Sequence, residues 1–373
     1  MLTQWQYSDI HCIANHITHT EEYTMGGTLL KEFGAQRHTS AEIECYIPEI
    51  VGLVKSILNA EIRRPKEFSD KSEHGDLDLI IGYNKLSDQL VVDEHLENLG
   101  YTVSSNGRVT SFLYNELQVD LIFVDSRDLD FATNYFSWGD TGNIIGMYAS
   151  NKGMRLSESG LFIEKVIPNI GIARAYATFD FDEALLMLGF DPKFYNTGFA
   201  SFSETKTFFK SNKEIVPDLL SLNAAHRRRI KMRPNQLAFY QDVISGVYGS
   251  PTKPTEMVLP RPAITMGNLE TFKSVLSKIG THEITYSDGY FVAATTKEKH
   301  LPNILIGKNF DGSLFLVVGT LFRRIESKDE LISSIRFEMK RRLDQVERER
   351  LEKALKRQEK EQEQEQEQEQ EQQ

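Results

Sequence analysis

The sequence predicts a mixed α+β protein of several domains: an N-terminal α/β domain, a helical middle domain, and a small α-β-β-β-α domain followed by a long charged helix. Three observations carry this. Runs of alternating apolar residues interleave with helical apolar spacing through the first third of the chain. The stretch Gly249 to Ala263 holds four prolines and little periodicity, which marks a linker. The length, 373 residues, exceeds what one hydrophobic core serves.

Residues 1–40 are read as a helical extension. His11, Cys12, His16 and His19 resemble a metal cluster only superficially, because His11 and His16 align poorly on a helix and no second ligand pair follows. Ala41 to Asn59 has helical spacing, with Ile43, Ile47, Ile50, Val51, Val54 and Ile57 on one face; Pro48 inside that pattern marks a kink or a start. A short strand (ILNAEI), a polar loop and the apolar strand LDLIIGY follow. Val92, Leu96 and Leu99 then define a helix that Gly100 stops. Asn106-Gly107 between YTVSS and RVTSFLY is a strong hairpin signal, and a second tight turn at Asn115-Glu116 leads into LQVDLIFVD. A small mixed sheet carrying helices, over 41–165, is expected.

A helical domain is expected over 166–248 and the linker over 249–263. The small α/β domain, 264–345, has a helix at LETFKSVLSKIG, then strands around HEITYSDGYFVAATT and LPNILIGKNFDGSLFLVVG with a turn at Asp311-Gly312. The tail, 346–373, is a solvated helix or disordered, and its partner is open.

The composition, 40% hydrophobic and 26% charged, excludes wholesale disorder and fibrous repeats. No apolar run approaches the roughly 20 residues of a membrane helix, and MLTQWQYSD lacks a secretion start, so a cytoplasmic protein with no membrane partner is expected. Two cysteines make no disulfide framework. The net charge is −11, but the last fifteen residues hold seven Glu against one Lys, so over half the excess sits in the tail. Local basic patches therefore remain possible partners for a polyanion. The densest is Arg227, Arg228, Arg229, Lys231 and Arg233, a candidate nucleic-acid contact. Walker A, GxGxxG, GxSxG and HExxH patterns are missing from the sequence.

The informative residues are His74-Gly75-Asp76-Leu77-Asp78 and Gln118-Val119-Asp120. On a strand, residues two apart share a face, so Asp76 and Asp78 project together while Leu77, Leu79 and Ile81 enter the core. Asp120 projects opposite Val119, Leu121 and Phe123. Pairing these strands brings three carboxylates together, and three anions repel unless a cation sits between them. Hard divalent cations, Mg²⁺ or Mn²⁺, suit such a donor set, and two ions serve phosphoryl chemistry.

These residues resemble the nucleotidyltransferase superfamily, in particular the palm of family X DNA polymerases: a Gly-Ser turn, a strand with two acids one residue apart, and a third acid on a later strand. Tyr135-Phe136-Ser137-Trp138-Gly139-Asp140-Thr141-Gly142-Asn143 is similar to the family's sugar- and base-contacting turn, and Asn151 to Phe162 to its Lys-Gly-x-x-Leu-x-Glu-x-Gly-Leu-Phe stretch. The resemblance spans about Ala41 to Leu219. It implies that Asp76, Asp78 and Asp120 bind two metals, that Arg63, Arg64 and Gly75 face the triphosphate, that Tyr135 and Phe136 face the sugar, and that Asp140 and Asn143 lie near the base. The partners implied are nucleoside triphosphates and a nucleic-acid 3′ end, DNA favoured over RNA.

Other readings are a relative acting on RNA or tRNA ends or on a protein, and an inactive palm that binds nucleic acid as a scaffold. The chain departs from the pattern in three places. Ala60-Glu61 stands where the Gly-Ser turn would be, the loop from Pro65 to His74 is longer, and Trp138 replaces the usual Gly.

Overall fold

A computed structural model describes residues 29–85, 87–167, 171–212, 233–244, 282–287, 290–295, 304–308, 313–318, 321–327 and 329–341, with 344 and 350. The N-terminal histidines, Arg227 to Lys231, the linker, the helix expected at LETFKSVLSKIG, the turn at Asp311-Gly312 and nearly all of the tail lie outside them. The chain forms two compact units, residues 1–162 with 178–257, and residues 163–177 with 258–373. Among the described residues no helix is long and apolar enough to cross a membrane.

The first unit begins with β1 (His38–Thr39) and α1 (Ser40–Ile57). Thr39 and Glu42 close a reciprocal cap: the Glu42 backbone N–H donates to Thr39 Oγ1 at 3.3 Å and the Thr39 N–H to Glu42 Oε2 at 2.8 Å. The helix continues through Pro48, and its apolar face, Ile43, Ile50 and Val54, is wholly buried. Burial of that kind contributes about 1.5–3 kcal/mol per side chain, enough to offset one lost backbone hydrogen bond. Because α1 continues to Ile57, the strand expected at ILNAEI shrinks to β2 (Ile62–Arg63).

The strands β3 (Glu73–His74) and β4 (Asp76–Tyr83) precede α2 (Asp88–Asn98), which stops before Gly100 at φ 85°. Val92 and Leu96 are buried, but Leu99, at the helix end, is exposed. Then come β5 (Val103–Asn106), β6 (Val109–Tyr114) and β7 (Leu117–Asp125). Both expected turns form: Gly107 has φ 62°, and Asn115 and Glu116 have φ 48° and 63°.

The sheet order is β2-β4-β7-β6-β5, with β4 and β7 parallel and the other pairs antiparallel. Leu77, Leu79 and Ile81 pack with Val119, Leu121 and Phe123 against α1 and α2. The opposite face is polar only at the start of β4 and β7. Farther along, Ile80, Ile122 and Val124 meet Leu129 and Ala132 of α3 (Leu129–Phe136). The acids are thus confined to one end of an otherwise two-sided core.

After α3 come α4 (Thr141–Asn151), β8 (Met154–Ser157), β9 (Gly160–Ile167) and β10 (Gly171–Thr178). Three short helices, α5 (Phe181–Met187), α6 (Pro192–Thr197) and α7 (Phe202–Ser211), follow, with α8 (Pro234–Ile244) beyond. They enclose an aromatic cluster in which Phe190 stacks on Phe208 at 4.9 Å and Phe209 lies 4.7 Å from Phe239. Helices α5 to α8 pack within the first unit, but the range 166–248 expected to be helical contains the strand β10, and residues 163–177 belong to the second unit.

The second unit holds an antiparallel meander, β11 (His282–Ser287), β12 (Tyr290–Thr295), β13 (Ile304–Lys308), β14 (Leu314–Val318) and β15 (Leu321–Ile325), before a helix over 329–341. This corrects the expected three strands to five among the described residues. HEITYSDGYFVAATT is a hairpin rather than one strand, and β15 hides two arginines that interrupt its apolar pattern. Arg323 is absorbed by Glu330 at 3.1 Å, and Tyr176 of β10 stacks on Phe322 at 4.7 Å.

Candidate active site

Register brings the carboxylates together. In the parallel pair, Asp76 stands opposite Gln118 and Asp78 opposite Asp120, on strands roughly 4.8 Å apart. The Asp78 residue is exposed at the sheet end, but its carboxyl is crowded among the other acids, and that crowding governs its charge. Desolvation first, then the Asp76 and Asp120 charges, push its carboxyl well above the usual range. Asp120 is raised for the same leading reason; hydrogen bonds from Ser111 and Gln118 oppose the shift and the Asp76 charge adds to it.

The donor chemistry, carboxylates without thiolate or imidazole, fits a hard divalent cation. The three are not drawn into a closed cage: among the described residues no group of three acidic, His or Cys side chains stands in a ligating arrangement.

Sequence reasoning missed Gln118. It is two residues before Asp120, hence on the same face, and buried. The Leu30 backbone N–H donates to its Oε1 at 3.1 Å, which fixes the amide so that Nε2 donates to both Asp120 oxygens, at 3.0 and 3.2 Å. Replacing Gln118 by Leu strands the Leu30 N–H and removes the amide that orients Asp120. The expected results are a stability loss of about 1–3 kcal/mol by chemical denaturation, and a drop of about tenfold in whatever reaction Asp120 supports. Gln118→Glu, which keeps the shape but repels Asp120, separates orientation from packing.

Arg63 pairs with Glu61 and Asp130, and Arg64, half-buried, with Glu44 and Glu67. Burial works against the Arg64 charge, but these carboxylates hold it. Gly75 is buried between His74 and Asp76. The loop over 65–74 is tied down at long range. The Trp138 N–H donates to Lys66 O at 2.7 Å, the Lys66 N–H to Ser137 Oγ at 2.9 Å, and the Asp70 N–H to Ala200 O at 3.0 Å.

Tyr135 and Phe136 end α3, both partly exposed, with their rings edge to face at 5.1 Å. Trp138 turns inward. It is 8% exposed, against Phe68 and Phe199, and a Cβ at Gly198 would stand 2.9 Å from its ring. Its bulk anchors the turn, and φ 63° at Trp138 is held by that packing. Asp140, 4% exposed, is engaged by Arg233 and by Gln236 Nε2 at 3.0 Å, a pairing across more than ninety residues that no local pattern announces. Arg233 alone of the basic run is described, and its guanidinium meets Asp140. Asn143, partly exposed, lies in the first turn of α4.

No protein-family model and no curated protein matches the chain. Among solved structures it is similar to the Leishmania infantum polymerase beta of a ternary gap complex, at 16% identity and a TM-score of 0.35, over 49% of this chain and 77% of that one. At that level the likeness adds nothing to what the chain's own residues imply.

Proposed function

We propose that the chain is a metal-dependent nucleotidyltransferase of the family X DNA polymerase type, which adds a nucleotide from a dNTP or NTP to a nucleic-acid 3′-hydroxyl and releases pyrophosphate. The observation that carries it is the register of Asp78 beside Asp120, with Asp76 two residues before. Three acids at one sheet end work against the fold, and they make sense where cationic charge is to be received. Two Mg²⁺ or Mn²⁺ ions held by Asp76, Asp78 and Asp120 would neutralise phosphate charge and acidify the attacking hydroxyl.

The chain's own groups do the rest. Asp120, oriented by Gln118 and Ser111, accepts the hydroxyl proton at an Oδ. Arg64 and Gly75 meet the triphosphate, with Arg63 beside them. Tyr135 and Phe136 face the sugar, and crowding at a 2′-hydroxyl favours dNTPs and a DNA end. Asp140, engaged by Arg233 and Gln236, sets the turn, and Asn143 approaches the base.

The second reading, a palm that binds nucleic acid without catalysis, draws on the ion pairs of Arg63 and Arg64 with carboxylates. Labelled DNA and RNA primers incubated with each dNTP and NTP singly, with Mg²⁺ or Mn²⁺, decide between them. Extension with pyrophosphate release, dNTPs preferred, is the expected result. Primer binding with no extension under any pairing overturns it and leaves the scaffold.

A further inference from the structure

We infer that Glu67 is a built-in competitor for substrate phosphates: in the free protein its carboxylate holds Arg64 and Lys71, and a polyphosphate binds by taking both cations from it. This rests on the nucleotidyltransferase reading above and extends it to the ligand class that the loop selects.

Where the family pattern has a small Gly-Ser turn, this chain has Ala60-Glu61 and a longer loop that brings its own cation. Lys71 Nζ lies 2.7 Å from Glu67 Oε1, which His74 Nδ1 also faces at 3.0 Å, while Arg64 meets Glu67 Oε2. Burial opposes the Glu67 charge, yet Lys71, Arg64 and His74 overcome it and keep the carboxyl below its ordinary range. Glu67 is therefore an anion seated in a cationic pocket. The pocket borders the carboxylate cluster, because His74, which faces Glu67, ends β3 two residues before Asp76 opens β4.

The backbone of this loop is fixed, and two of its charged side chains reach solvent. The Ser40 N–H donates to Ser72 O at 3.0 Å, Ser40 Oγ to Lys71 O at 2.9 Å, and the Asp70 and Trp138 contacts hold the other side. The side chains of Glu67 and Lys71 are 28% and 38% exposed, so a ligand in solvent reaches both without the loop backbone moving. A triphosphate offers several charges and many acceptor oxygens to both cations at once, and so displaces a single carboxylate. A ligand with one anionic group does not. Glu67 thereby sets a threshold that polyphosphates pass.

The test is calorimetric titration of the full chain with metal-free inorganic tripolyphosphate. Glu67→Gln is expected to tighten binding about fivefold, and Lys71→Ala to weaken it about fivefold, the net worth of one ordinary hydrogen bond. Equal or weaker binding by Glu67→Gln, unchanged binding by Lys71→Ala, or no binding by the wild type overturns the inference. Should Glu67→Gln fail to fold, as read by its melting curve, Glu67→Ala, which also removes the competing carboxylate, takes its place with the same expected tightening. Primer extension keeps the two readings apart. Extension by a wild type whose titration ignores both variants sinks only the role of Glu67. The expected titrations without extension on any primer sink only the transfer reaction.

Discussion

Asp76→Asn, Asp78→Asn and Asp120→Asn are each expected to lower nucleotide transfer by roughly three orders of magnitude or more, with the fold intact by circular dichroism. Each removes a charge from a cluster that acts as a unit. Near wild-type activity of any of them with Mg²⁺ would break the assignment. The Asp78 variant carries a second signature. Its carboxyl is raised by the local desolvation of the crowded cluster and by the Asp76 and Asp120 charges. Between its ordinary pKa and the raised one, the folded protein keeps a proton that the unfolded chain has released. Stability therefore falls as pH rises through that window, and the full penalty is present above it. Without metal, Asp78→Asn melts higher than wild type at pH 7, and the two converge below the ordinary carboxylate range. Added Mg²⁺ raises the melting temperature of the wild type and leaves that of the variant unchanged. A residue that weakens the fold while its removal abolishes activity is there for the reaction.

Most of the sheet was legible because its determinants are local. Asn106-Gly107 and Asn115-Glu116 fix two turns through their left-handed backbone. The alternation of LDLII and VDLIF decides which residues face α1 and α2, and the same alternation sets the acids together once the strands pair. The pairing itself is parallel and crosses forty residues, so the sequence supported it only through the chemistry of the acids. Ile80 and Ile122 mark where reasoning by alternation falls short: they follow the acids on the same face and are covered by α3.

What stayed hidden depends on distant partners. Gln118 is an ordinary strand residue until Leu30 fixes its amide. Asp140 reads as a base contact until Arg233 and Gln236 arrive from α8 and the residue before it. Trp138 reads as extra bulk beside a sugar, yet Gly198, Phe68 and Phe199 receive it in the interior. In each case the side chain's chemistry was readable and its direction was not, because direction is set by packing between segments that sequence spacing does not relate. Strand β15 was missed for the opposite reason: Arg323 and Arg324 look like a solvated stretch, and ion pairs with Glu330 and Glu326 let them join the sheet.

Gly142→Ala is expected to destabilise the protein by roughly 2–4 kcal/mol and to disturb the sugar contact proposed for Tyr135. Trp138 and Gly139, at φ 63° and 59°, reverse the chain between α3 and α4 and bring Gly142 onto the end of α3. A Cβ at Gly142 would lie 2.0 Å from Tyr135 O and 3.1 Å from its carbonyl carbon. Both are backbone atoms, so no rotamer relieves the clash, and the helices must separate. Gly to Ala within a helix otherwise gains about 1 kcal/mol, so the sign of the change is itself diagnostic. Gly146→Ala is the matched control in the same helix: its Cβ would meet Leu156 O at an ordinary 3.5 Å, and a neutral or slightly raised melting temperature is expected. Because the displaced atoms belong to Tyr135, Gly142→Ala should also lower kcat/KM for dNTPs more than for NTPs, narrowing their ratio. Melting of Gly142→Ala at or above wild type would show that the close approach of α4 to Tyr135 is not what holds the turn.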